Sequence, residues 1–404
     1  MLIDFTFKNF LSYRNETTLL LTKIKSFDEL KETHTIETNR DFDLLKTAAI
    51  FGSNGGGKSN FITSIDFMKQ AVHSSFSESS KPLNERGNTD IQYKLNTDSL
   101  NSPSSFEVSF IKNDVLYRYG FEILNFEIIS EWLYKKVKTE TRLFQREKSK
   151  FSINKTGFSE GIKYHKEVKD NVLFLSHLAQ YKDAPITNEV INFFNDLEII
   201  SGLDENPHKH ATKVLLKNSV NFKKWLILAT KFLDISEIKL TENNRLITTH
   251  KVFNDHNEIV DTIIFDLEKE ESAGTQKLIY LLGAIYYTLI HGKILFIDEL
   301  NSKLHPNLTK KLLYLFHDLN KKNAQIIFTA HDSCILDKDI LRRDQIWFVD
   351  RNNFGESELY PMSDFKSSGV RKTSDFRKKY LNSDFGAAES ISITHELIDL
   401  LYEE

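Results

Sequence analysis

Gly52-Ser53-Asn54-Gly55-Gly56-Gly57-Lys58-Ser59 sets four glycines ahead of a lysine and a hydroxyl. Without Cβ atoms in the way, a backbone of this kind wraps phosphate oxygens closely and turns its N–H groups inward. Lys58 is expected to reach the β- and γ-phosphates of a nucleoside triphosphate such as ATP, and the Ser59 hydroxyl to ligate Mg2+. The context fits this chemistry. Lys46-Thr47-Ala48-Ala49-Ile50-Phe51 reads as a strand entering the loop, and a helical pattern runs from Ser59 to about Val72.

A second cluster is Ile294-Leu295-Phe296-Ile297-Asp298-Glu299, an apolar strand that ends in two acids. Ligands of parallel α/β sheets bind at the carboxyl ends of the strands. Asp298 is therefore expected to hold Mg2+, directly or through water, and Glu299 to act as general base on the attacking water. The next apolar run, Ile326-Ile327-Phe328-Thr329, leads to Ala330-His331-Asp332. His331 is placed to sense a γ-phosphate. Glu271-Ser272-Ala273-Gly274-Thr275-Gln276 stands directly before an apolar helix. Ser272 and the backbone at Gly274 can serve an anion there, although a Ser/Gly turn is also an ordinary helix cap.

The elements that must position these residues follow from periodicity. Leu2-Ile3-Asp4-Phe5-Thr6-Phe7 alternates as a strand, with a second strand at Phe10–Tyr13 after a turn. The polar tract from Ser74 to Ser105 reads as a loop carrying one strand at Ile91–Leu95. Phe106–Ile111, Leu116–Ile123 and Ile128–Lys136 read as an antiparallel meander. From Lys163 to Leu233 the pattern is helical, with Val190, Ile191, Phe194 and Leu197 on one face of a helix that starts near Thr187. Strands return at Glu237–Leu240, Leu246–Thr249 and Thr262–Asp266, followed by a helix over Lys277–Leu289.

The bulk properties exclude several classes. A chain of 404 residues with 40% apolar and 27% charged residues is an ordinary globular composition, and a net charge of −4 gives no global field for nucleic acid. Cys334 is the only cysteine, which excludes a disulfide framework and a cysteine-rich zinc site. No run reaches the ~18–20 apolar residues of a membrane span, and the start lacks the apolar core of a secretory signal. A cytoplasmic location, with no membrane partner, is expected.

Together these residues resemble the ABC ATPases. The loop has the Gly-x-Asn-Gly-x-Gly-Lys-Ser form of transporter, SMC and OLD-type heads, and Leu304-His305-Pro306 after Glu299 is similar to the OLD-type branch. The segment Tyr380-Leu381-Asn382-Ser383-Asp384-Phe385-Gly386-Ala387 resembles the tail of stand-alone prokaryotic ATPases of the RloA/AbiL kind. The resemblance implies an α/β fold: an ABC-type ATPase head, with a P-loop NTPase mixed sheet and an antiparallel β-subdomain, interrupted by a helical insertion. Residues 1–160 would form the N-terminal half of the head and 161–235 the insertion. Residues 236–404 would form the C-terminal half, with signature, acidic strand, histidine switch and basic tail. It also implies that the turn at Ser272 and Gly274 is a signature supplied in trans to a partner's ATP. Gln180, just before the insertion, would be the Q-loop glutamine that helps hold the metal.

Relatives of this kind are encoded beside a separate effector, often a Toprim-type nuclease, in phage-defence loci. The expected function is thus a homodimeric or higher even-numbered regulatory ATPase, using ATP and Mg2+, that controls a separately encoded effector, a nuclease. Contact with nucleic acid would be indirect. After His331 no spaced acidic pair suggests a fused nuclease. Arg371-Lys372 with Arg377-Lys378-Lys379 reads either as a solvated helix face or as a contact for nucleic acid or effector. Two alternatives remain: a stand-alone DNA-processing or DNA-repair ATPase of SMC/OLD type, and an ATP-bound scaffold with little turnover.

Overall fold

The computed structural model describes residues 1–78, 91–200, 206–368, 371, 373–387 and 400. Residues 79–90 of the polar tract and Lys372 of the basic run lie outside that set.

The chain opens with β1 (Leu2–Lys8) and β2 (Thr17–Leu20), then α1 (Lys31–His34) and a small pair, β3 (Thr35–Ile36) and β4 (Leu44–Leu45). β5 (Thr47–Gly52) leads into α2 (Lys58–Glu78), and the short α3 (Thr97–Leu100) precedes a meander. The meander comprises β6 (Ser104–Lys112), β7 (Val115–Leu124), β8 (Glu127–Lys136), β9 (Glu140–Glu147) and β10 (Lys150–Ile153). Its first two hairpins turn on Asn113-Asp114 and Asn125-Phe126. All four residues have positive φ, the geometry that matches the twist of the flanking strands. β1 and β2 complete an antiparallel sheet in the order β10-β9-β8-β7-β6-β1-β2.

Next come α4 (Ser159–Tyr164), α5 (Phe174–Leu178), α6 (Pro185–Asn195), β11 (Leu197–Ile200), α7 (Asn206–Asn218) and α8 (Val220–Ala229). β12 (Glu237–Leu240), β13 (Leu246–Phe253) and β14 (Ile259–Asp266) form a separate three-stranded sheet. α9 (Ala273–His291), β15 (Ile294–Ile297), α10 (Pro306–Leu319), β16 (Gln325–Ala330), β17 (Ile346–Arg351), β18 (Ser357–Pro361) and α11 (Phe376–Leu381) finish the fold.

The central sheet has the order β11-β15-β16-β5-β17-β18, parallel except for β17–β18. β5, β15 and β16 are buried along their whole length, which is why they read as unbroken apolar runs. Their side chains alternate between two cores. Ala48, Ile50, Ile294, Phe296 and Ile327 face the core shared with α2 and the antiparallel sheet. Ala49, Phe51, Leu295, Ile297 and Phe328 face the core shared with α9 and α10. The mixed α/β architecture is the one expected.

Three local expectations are corrected. Phe10 and Tyr13 form only a bridge closing a tight turn, with Phe10 N–H to Tyr13 O and Tyr13 N–H to Phe10 O both at 2.8 Å. Ile91–Leu95 is not a strand. Its backbone bonds go to irregular partners: Leu11 N–H to Ile91 O at 2.7 Å, and Tyr93 N–H to the Asn9 side chain at 3.1 Å. Leu197 begins β11 rather than continuing a helix, so the stretch read as helical contributes a strand that pairs with β15. No helix among the described residues is long and apolar enough to cross a membrane.

Candidate functional site

The glycine-rich loop connects β5 to α2, and its shape is set by close packing. Gly57 has φ +117°, and a Cβ there would lie 2.3 Å from Ser357 Oγ, so no other residue fits. Ser357 Oγ donates to Gly56 O at 2.6 Å and lies 2.8 Å from Ser12 Oγ, which accepts from Asn60 Nδ2 at 2.8 Å. Tyr13 OH donates to Gly57 O at 3.1 Å. Burial raises the Tyr13 phenol above its ordinary range, so it stays a donor. Lys58 is buried, and its ammonium donates to Gly52 O at 2.7 Å and to Ser53 O at 2.8 Å. The cation is thus held across the loop, where phosphate oxygens would meet it. Ser59 is exposed in the first turn of α2.

β15 and β16 bring the other chemistry alongside. Phe328 pairs with Ile297, and Ala330 with Phe51, so the carboxyl ends of β15, β16 and β5 lie side by side. Asp298 is 7% exposed, and Thr329 Oγ1 donates to its Oδ1 at 2.7 Å. The same Thr329 oxygen accepts from Glu299 N–H at 2.7 Å. Glu299 has φ 55°, a left-handed conformation unusual outside glycine and common at functional sites. His331 Nε2 is 3.2 Å from Glu299 Oε1. A buried carboxylate and an exposed hydroxyl are both hard oxygen donors, so Asp298 and Ser59 suit Mg2+.

Ser272 caps α9, its Oγ accepting from Thr275 N–H at 3.1 Å. A Cβ on Gly274 would sit 2.8 Å from Lys303 O, so this turn rests on the loop that follows Glu299. Lys277 Nζ reinforces the contact by donating to Glu299 O at 2.7 Å. From the other side Glu271 Oε1 accepts from Thr248 Oγ1 at 2.5 Å and pairs with His250 Nε2 at 2.7 Å. Asp298, Glu299, Lys277, Ser302 and Lys303 line a cleft of about 220 Å³.

The structure therefore brings together Gly52–Ser59, Asp298, Glu299 and His331, with Ser272 and Gly274 tied to the loop after Glu299. Gln180 is not brought to them. Its Nε2 donates to Ser176 O at 3.2 Å, and Ser176 Oγ accepts from Phe76 N–H at 3.3 Å. Phe76 lies near the far end of α2 from Ser59, roughly 25 Å along a helix rising 1.5 Å per residue. Gln180 is thus remote from Ser59 and cannot share a metal ion with it. Thr329 was missed, its only sequence signal being a hydroxyl inside an apolar run.

A family model described as "AAA domain, putative AbiEii toxin, Type IV TA system" matches residues 48–337. Among solved structures, the chain is similar to the SMC head domain from Thermotoga maritima, with 14% identity, 89% of this chain and 98% of that chain covered, and a TM-score of 0.43. It is also similar to an SmcHead bound to the C-winged helix domain of ScpA, with 14% identity, 91% and 99% coverage and a TM-score of 0.42. An Smc head domain with an extended coiled coil, bound to the C-terminal domain of ScpA derived from Pyrococcus furiosus, matches at 12% identity, 91% and 98% coverage and a TM-score of 0.39. No curated protein matches the chain.

Proposed function

Because the chain belongs to the AAA-domain family whose description names AbiEii toxins and type IV toxin–antitoxin systems, and is an ATPase, we propose that two copies close head to head around Mg·ATP and thereby control a separately encoded effector. We place it in the cytoplasm, as an OLD-like ATPase subunit of defence against phage, with a nuclease as the effector. The observation that carries the catalytic part is the junction of Asp298, Glu299, Thr329 and His331 beside the loop that holds Lys58.

In this reading the loop amides and Lys58 hold the β- and γ-phosphates, and Ser59 and Asp298 hold Mg2+. A metal ion held there would neutralise phosphate charge. Glu299 takes the proton of the attacking water as the water oxygen bonds to the γ-phosphorus and the bond to the bridging oxygen breaks. His331, already against Glu299, orients that carboxylate and the γ-phosphate. Pairing of two copies is supported by the signature turn. Ser272 is exposed, and its helix N-terminus is anchored to its own Lys303 and Glu299 loop, leaving the anion-binding end open to a second copy.

The effector contact is assigned to the helical stretch between Lys163 and Leu233 and to α11. Phe376 and Tyr380 bury one face of α11, while Arg377 and Lys378 are exposed on the other. Moving a two-state equilibrium from about 1:99 to 99:1 needs roughly 5.5 kcal/mol of differential affinity, which closure around ATP can supply by making or removing a docking surface. The test is co-purification with the products of neighbouring genes, with and without ATP. Wild type, Glu299→Gln and a charge-reversed Arg377/Lys378/Lys379 variant are compared. Nucleotide-dependent capture of a neighbour is expected. Absence of capture in every state, together with degradation of DNA or RNA by the purified chain alone, would replace this reading with a stand-alone enzyme.

A further inference from the structure

We propose that Thr329 is a positioning residue of the hydrolytic site, coupling the metal-side acid to the water-side acid through one hydroxyl. The inference rests on the reading of Asp298 and Glu299 given above. Its directionality is fixed by chemistry. A backbone N–H can only donate, so Thr329 Oγ1 accepts from Glu299 N at 2.7 Å. The hydroxyl's single proton then goes to Asp298 Oδ1, also at 2.7 Å.

The coupling extends along both strands. Thr329 O accepts from Leu300 N–H at 3.0 Å, and the Asn301 side chain accepts from His331 N–H at 3.3 Å. Residues 298 to 301 are thus tied one after another to residues 329 to 331. Thr329 is fully buried, so water cannot take over its bonds.

Two consequences follow for the site. Occupying Asp298 Oδ1 restrains the rotation of that carboxylate and leaves its Oδ2 as the oxygen that Thr329 does not engage. Holding the Glu299 amide supports its left-handed backbone, a conformation that persists in a non-glycine residue only where its surroundings hold it. Thr329 would act through the two acids and not on nucleotide or water itself. It sets the aim of the two residues that do.

The test compares Thr329→Val, which keeps the shape and removes the hydroxyl, with Thr329→Ser, which restores it. Binding of a fluorescent ATP analogue is titrated with and without Mg2+, and kcat and KM are measured separately. The valine variant should bind nucleotide without metal as wild type does and lose most of the extra affinity that Mg2+ confers. Its kcat should fall about 10- to 100-fold, as expected for loss of hydrogen bonds to a charged group. The serine variant should recover to within a few-fold of wild type. Thr329→Ala, which cannot clash, is read by the same criteria should the valine variant not fold. Wild-type kcat and an undiminished Mg2+ effect in the hydroxyl-free variants would overturn the proposal. Failure of the underlying site is recognised separately, by wild-type turnover in Lys58→Ala.

Discussion

His331 Nε2 and Glu299 Oε1 stand 3.2 Å apart, joining the residue beyond β16 to the acid beyond β15. Both side chains are partly exposed, at 33% and 42%, so the pair is open to solvent. Because β15 and β16 are adjacent and parallel, this contact needs no loop rearrangement to form. In the proposed reading, water and phosphate would be received beside a pair that is already aligned.

Lys58→Ala should abolish ATP hydrolysis. The ammonium donates to Gly52 O and Ser53 O, so its removal also frees the loop, but the fold rests on other contacts. Phosphate release at background level, with an unchanged circular dichroism spectrum, is the expected result. Turnover at the wild-type rate would show that this loop is not the nucleotide site.

Glu299→Gln keeps the size of the side chain and removes the proton acceptor. ATP should bind and persist, and light scattering with Mg·ATP should show a stabilised species of higher mass. Ser272→Arg sets a bulky cation at the exposed cap of α9 and should prevent that species while leaving nucleotide binding intact. Should Glu299→Gln with Ser272→Arg still assemble on ATP, the signature does not act in trans.

Stability should fall on acidification through two stacked imidazoles. The rings of His34 and His317 lie 3.5 Å apart behind β5, where His317 Nε2 meets Thr47 Oγ1 at 3.1 Å. Burial, with Lys46 and Arg342 nearby, holds His34 down at about 4, and burial, His34 and Lys46 hold His317 well below its ordinary value. In the unfolded chain both take protons near pH 6.5. Between that pH and about 4 the unfolded state binds more protons, so stability drops as pH falls, by on the order of 3 kcal/mol for His34 alone. Thermal denaturation at pH 7.5 and pH 5 should therefore show a smaller loss for His317→Phe than for wild type. Equal losses would contradict the assignment.

Arg146→Met should destabilise the fold by about 3–5 kcal/mol, the cost of leaving a buried charge without its partner. Arg146 and Glu131 are both fully buried and 3.7 Å apart. Glu131 also accepts from Phe174 N–H, Leu175 N–H and Tyr119 OH, at 2.6, 3.0 and 2.9 Å. Adding Glu131→Gln removes the stranded charge, so the double variant should be more stable than Arg146→Met alone in urea denaturation. The reverse order would show that the pair is not the source of the cost.

What was legible in the sequence is what lies contiguous in it. The phosphate loop and the Asp298-Glu299 pair carry their chemistry within a few residues, and β5, β15 and β16 announce themselves as unbroken apolar runs. Thr329 was not legible, because its partners are chosen by which strands become neighbours. Gln180 misled for a related reason. Its position depends on α5, whose first amides are gripped by Glu131 and whose Ser176 docks on the far end of α2. β14 shows a different limit. The strand read at Thr262–Asp266 begins earlier, at Ile259, and its apolar residues Ile259, Val260, Ile263 and Ile264 are each about half exposed, since the three-stranded sheet has no layer over that edge among the described residues.

The pairing of β5 has a consequence for the chain as it is made. Both neighbours of this strand in the central sheet, β16 and β17, come from the last quarter of the sequence, and Thr47 is matched to Ile326. At ordinary synthesis speeds of about 5–20 residues per second, the phosphate-loop strand waits roughly 15 to 60 seconds before its partners emerge. During that interval Ala48, Ala49, Ile50 and Phe51 have no sheet to join, and neither Asp298, Glu299 nor His331 has been placed beside Lys58. The nascent chain therefore carries an apolar strand without sheet partners until β16 and β17 have been made, and the site cannot assemble before then.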